Sequence, residues 1–262
     1  MRAEVRPQVQ AEVRAGQVSP TVRKPRSVPS RPAPRGDARS AAAIELLDCY
    51  GELARTQSHL LQDLLAGKAP VQWAHYPADD AFDSGGVYQW FYHSHSPEDR
   101  PGATEHGHIH LFVRTTALGG AATGKRERAF LALHGATPSD ASTRHLLAIG
   151  LTPQGVPCSL FTVNSWVTGD QLLSAAATLP LLKDICLDTG HPIIDRVIVA
   201  LLRLCVRDLP SLLRRRDASL AVARRPDASV FQDESLEGLS LLPLDLDQRI
   251  ERTLRPRTQP VA

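Results

Sequence analysis

Five of the ten histidines fall between positions 93 and 110, in "HSH" (93–95) and "HGHIH" (106–110). Neutral imidazole offers one lone pair of borderline softness, suited to zinc, iron, copper or nickel. If both stretches are strands, alternate side chains share a face. Phe91, His93 and His95 then lie on one side, with Tyr88, Trp90 and Tyr92 on the other. In the second stretch His106, His108, His110 and Phe112 oppose Ile109, Leu111 and Val113. The nine residues between them, "SPEDRPGAT", contain Pro97, Pro101 and Gly102 and suit a hairpin loop. Aligning the apolar faces sets His93 opposite His108 and His95 opposite His106, with Cβ atoms ~5 Å apart. Rings on such a frame can converge on one divalent transition metal (Fe, Zn or Mn) at bond lengths of about 2.0–2.1 Å. The expected ligands are His93, His95, His108 and His110, with His106 and the carboxylate of Glu105 as further candidates. His75, His145 and Asn164 stand as additional candidates from neighbouring segments. Two other readings of the same face are a metal-free catalytic histidine and a merely polar strand surface.

The flanking pattern supplies a scaffold. Apolar residues at Leu47, Tyr50, Ala54, Leu61 and Leu64/Leu65 have helical spacing, with Asp37 or Ser40 as caps and Gly67 and Pro70 as stops. The turn-rich segment 71–86 leads into the two histidine strands. "RAFLALHG" (128–135), "RHLLAIGL" (144–151) and "VPCSLFTVN" (156–164) read as further strands, the last two as a hairpin. Two short helices are expected over 170–189. A longer one opens at Gly190 and Pro192, with an apolar face of Ile194, Val197/Ile198, Leu201, Leu204/Cys205 and Leu212, ended or kinked by Pro210. The stretch 214–229 reads as a charged exit, and 245–254 as a short helix capped by Asp245 or Asp247. In "NSWVTGD" (164–170), Asn164 and Thr168 either line a pocket mouth or mark a strand exit with Asp170 capping the next helix. The expected class is α+β, a mostly antiparallel sheet of about five strands packed by helices.

Composition sets the limits. Residues 1–39 carry nine basic and three acidic side chains, six prolines and no aromatic residue. That segment is expected to be a disordered leader, because it lacks the apolar surface to offset its ordering entropy. A single domain over 40–255 and a tail over 256–262 complete the expected organisation. The net charge of +2 leaves nucleic acid a weak partner at most, through the leader. No apolar run approaches the ~20 residues of a membrane span. Cys49, Cys158, Cys186 and Cys205 form no CxxC pair and are read as reduced thiols of a cytoplasmic protein. The remaining partner class is a small molecule.

Taken together, "HYP" (75–77), "YQWFYHSH" (88–95), "EHGHIHLF" (105–112), "HLLAIGL" (145–151) and "NSWVTGD" (164–170) resemble a bacterial family catalogued as a domain of unknown function, over roughly residues 40–250. That resemblance implies no activity. "HGHIHLF" is also similar to the histidine-triad nucleotide hydrolases, which implies His108 as a nucleophile supported by His106 and His110. Gly107 departs from that pattern, and His93 and His95 have no role in it. The reading of best fit is a metal-binding protein, with catalysis by non-haem iron or zinc as its enzymatic form.

Overall fold

The computed structural model describes residues 37–96, 98, 105–119 and 124–255. The expected leader and tail lie outside these residues, apart from positions 37–39, where Asp37 caps the first helix. The described residues fall in one compact unit.

Six strands form one antiparallel sheet in sequence order: β1 (Tyr76–Phe82), β2 (Tyr88–Ser94), β3 (Gly107–Arg114), β4 (Thr143–Leu151), β5 (Pro157–Val163) and β6 (Gly238–Pro243). The α+β class therefore holds, and the sheet has one strand more than the pattern gave. Edge strand β1 lies in the segment 71–86 expected as turns, and edge strand β6 in a stretch to which the pattern assigns no element. The run 128–135 is helix α4 (Lys125–Leu133) instead of a strand. A short apolar run cannot separate the two states by periodicity, and in the helix Glu127 reaches Ser174. Its carboxylate is buried, accepting from Ser174 N at 2.8 Å and Ser174 Oγ at 2.6 Å.

One face of the sheet packs under helices. Tyr88, Trp90 and Tyr92 from β2 join Ile109, Leu111 and Val113 from β3 in the main core, as the alternation predicts. Trp90 is fully buried and donates from Nε1 to Asp195 Oδ1 at 3.1 Å, so its polar edge is satisfied where its rings are desolvated. Each such side chain contributes about 1.5–3 kcal/mol by its burial.

Helix α1 (Ala38–Arg55) lies against α7 (Pro192–Leu204). Its buried face is Ala42, Ala43, Leu46, Cys49 and Leu53, and Leu47 is half-exposed. The expected face was wrong because Ala and Cys are small, and they carry the close approach to α7. The helix also stops at Arg55 and does not reach Leu65; Gln57 has φ of 52°, outside the right-handed helical region. Only the short turn α2 (Gln62–Leu65) follows, and α3 (Thr115–Leu118) and α5 (Ser165–Thr168) are single turns of the same length. The two helices expected over 170–189 are one, α6 (Ala175–Lys183), capped by Ser174 through Ala177 N. Helix α7 buries Ile194, Val197, Ile198, Leu201 and Leu204. Leu212 belongs to a separate helix, α8 (Leu209–Ala223). Pro210 occupies its first turn, where a missing N–H costs nothing, so it opens a helix and does not end one. The "charged exit" is thus largely helical. Helix α9 (Leu246–Leu254) is capped by Asp245 through Gln248 N at 2.9 Å.

Among the described residues no helix is long and apolar enough to cross a membrane. Cys49, Cys158, Cys186 and Cys205 are free thiols.

Candidate metal centre

The β2–β3 register brings the histidines together. His93 pairs with His108, and the ladder continues through His95 N to His106 O at 3.1 Å. The rings lie on the sheet face opposite the main core, and they are buried: His93 and His95 are 9 % and 8 % exposed, His108 and His110 2 % and 1 %. His93, His95 and His108 each offer a ligand atom within 4.8 Å of the other two. The Nε2 atoms of His93 and His108 are 2.7 Å apart, and His110 Nε2 is 3.0 Å from His108 Nε2.

Glu105 takes a position behind the cluster. Its Oε1 accepts from His108 Nδ1 at 2.6 Å, and Ser159 Oγ donates to its Oε2 at 3.4 Å. A proton held on Nδ1 leaves the His108 Nε2 lone pair facing the other imidazoles. This carboxylate–histidine arrangement fixes the tautomer and raises the basicity of a metal ligand. Its geometry depends on strand β4 being bare at Gly150, where a Cβ would collide with both Glu105 Oε2 and Ser159 Oγ.

His145 reaches the same face by a bulge. The β3–β4 pairing slips between Leu111 and Phe112, so that Leu111 faces Leu147 while Phe112 faces His145. Bulges re-aim side chains in this way. His145 Nε2 lies 3.0 Å from His110 Nδ1. The His145 backbone N–H donates to Asp170 Oδ2, and Thr168 Oγ1 donates to Asp170 Oδ1 at 2.7 Å. Asp170 therefore does not cap the following helix. Burial pushes its carboxyl up to about 6. Burial likewise pushes His145 down to about 3, with the Arg216 cation adding to the effect. His110 is held well below 6.5 by burial and then by His145, His93, His95 and His75. These inner rings stay neutral, the form that binds metals.

Of the remaining candidates, His106 and His75 lie beside this cluster, whereas Asn164 is engaged by backbone at the end of β5. His106 turns its Nδ1 to the Tyr92 hydroxyl at 3.0 Å. His75 stacks on Phe91 with centroids 3.6 Å apart and holds Asp80 Oδ1 at 2.9 Å; its ring is 6.4 Å from that of His93. Asn164 is fully buried and uses its amide on the backbone, accepting from Ser165 N and donating to Val230 O. Trp73, which sequence reasoning passed over, sets its ring edge-on to His95 at 4.5 Å and to His93 at 5.8 Å. It is 58 % exposed, so it forms the outer rim. Its only signal was an aromatic residue two positions before His75.

Residues 40–244 match the family described as Domain of unknown function (DUF6969). The chain belongs to the DUF6969 family. No curated protein and no solved structure matches it, and nothing in these comparisons supports the similarity to histidine-triad hydrolases. The matched span contains every histidine of the buried cluster and both carboxylates beside it.

A first consequence concerns Glu105. Glu105→Gln keeps an acceptor for His108 Nδ1 but removes the charge that makes the ring more basic. Metal affinity, read by competition with a chromogenic chelator, will fall roughly 10–100-fold with the circular dichroism unchanged. An unaltered affinity would show that Glu105 does not tune His108.

Proposed function

We propose that this DUF6969 protein binds one divalent transition metal through His93, His95 and His108 and uses it as a Lewis acid on a small oxygen-bearing ligand. The observation that carries the reading is the group of three buried imidazoles with mutually close nitrogens, one of them backed by a carboxylate on its far nitrogen. An all-nitrogen set suits zinc or ferrous iron better than manganese, which prefers oxygen donors. Three neutral ligands leave the ion its full charge and a free coordination position, the arrangement of catalytic zinc sites. Such an ion lowers the pKa of a bound water or polarises a carbonyl. The β2–β3 frame holds the donors on strands, which places them more firmly than loops.

The test uses untagged protein stripped by chelator and then offered zinc, ferrous iron or manganese. About one zinc or iron ion per chain will remain after desalting. His93→Ala with His108→Ala will retain none while its helical dichroism persists. Failure of the wild-type protein to retain any of the three metals would overturn the proposal.

A further inference from the structure

The direction of one hydrogen bond, between His110 and His145, decides what His110 presents to the site. His145 is fully buried and His110 nearly so. Their facing atoms, His110 Nδ1 and His145 Nε2, are 3.0 Å apart, so one of them carries the shared proton. Two arrangements of neutral rings satisfy this. In the first, His110 donates from Nδ1, and His145 must then hold its own proton on its far nitrogen. In the second, His145 donates from Nε2, and His110 keeps its proton on Nε2.

The far nitrogen of His145, Nδ1, is buried with no hydrogen-bond partner among the described residues. The first arrangement would strand an N–H donor there, a rare and costly state in a protein interior. The second leaves only a lone pair. The second arrangement therefore prevails, and His110 Nε2 is a donor.

That Nε2 lies 3.0 Å from His108 Nε2. It is thus no more than about 5 Å from any ion bonded to His108 at the usual imidazole distance. A ligand oxygen on the His110 side of that ion would fall within its donating range. We propose that His110 does not complete the metal's coordination but donates a hydrogen bond to whatever fills the open position, with His145 setting its tautomer. The occupant it selects is a small anion with a spare lone pair: hydroxide, or an oxyanion such as a carboxylate. This inference rests on the metal reading above.

Cobalt-loaded protein titrated with formate, followed by its visible absorption, separates the two. His110→Leu will retain cobalt with affinity within about threefold of wild type, and formate will bind it about tenfold more weakly or worse. His110→Gln, which restores an N–H donor, will recover much of that loss. His145→Leu removes the donor that fixes the His110 tautomer, and formate affinity falls in that variant too, by less than in His110→Leu. Unchanged formate affinity in His110→Leu overturns the inference. So does a hundredfold loss of cobalt in that variant, which would make His110 a ligand while leaving the metal reading intact. A wild-type protein that takes up no cobalt defeats the metal reading, and this inference with it.

Discussion

Acidifying the metal-free protein from pH 7 to pH 4 will lower its stability, and His145→Leu will shift that change by roughly 3 kcal/mol in the stabilising direction, flattening or reversing the dependence. His145 sits at about 3 in the folded state, against ~6.5 in an unfolded chain. A depressed histidine contributes stability that is present above pH 6.5 and lost as the pH falls toward 3. At pH 4 this loss is roughly 3 kcal/mol. His110 is shifted in the same direction and adds to it. Asp170 works the other way. Its folded value is raised from 3.8 to about 6, so its contribution is full below pH 3.8 and is lost as the pH rises through 6. Between pH 6 and 4 it returns about 2 kcal/mol and offsets much of the His145 loss, while His110 adds to the net fall. The contact between Asp170 and His145 runs through the His145 backbone N–H, so His145→Leu preserves it. Urea midpoints of both proteins at pH 7 and pH 4 give the answer. Equal pH dependence in the two would show that His145 accepts a proton without leaving the fold.

Gly107→Ala will cost about 3 kcal/mol or more, a fall in melting temperature of roughly 6–12 °C for a domain of this size. Gly107 lies opposite Ser94 in the β2–β3 ladder. A Cβ there would collide with the His93 carbonyl oxygen and stand 2.6 Å from the Tyr92 hydroxyl. Backbone cannot swing aside as a flexible side chain can, so the ladder itself must shift. The shift falls on the pair His93–His108, so on the proposed metal reading zinc affinity will drop together with stability. Gly51→Ala is the control. It lies in helix α1 with its nearest neighbour, Arg55 Nη1, at 3.8 Å. There the added methyl should stabilise by about 0.5–1 kcal/mol. A Gly107→Ala protein melting with the wild type would show that the close approach between the two strands is not obligatory.

The same glycine shows what a motif leaves unsaid. In "HGHIHLF" it looks like a flaw in a histidine-triad pattern, whereas its physical cause is the His93 carbonyl fourteen positions earlier in the chain. No local property of the segment carries that information.

Periodicity, in contrast, is local. Two strands with histidines at every second position, bounded by aromatic and aliphatic residues on the opposite parity, have one register that buries the apolar sets together. A slip of one residue would turn both faces inside out. Hence the pairing of His93 with His108 and the helix-covered side of Tyr88, Trp90 and Tyr92 were determined by the sequence alone. The α+β class followed from the same alternation. Only the tertiary structure decided the rest. The bulge at Leu111/Phe112 turns His145 onto the histidine face against its parity with Leu147. Glu105 folds back over Gly150 to the far nitrogen of His108 and to Ser159 on the second strand beyond. The run 128–135 is helical, and the Glu127 carboxylate of that helix is satisfied by Ser174, 47 positions away. Each of these turns on a partner distant in sequence, and a hydrogen bond or a collision between distant segments leaves no period in either one.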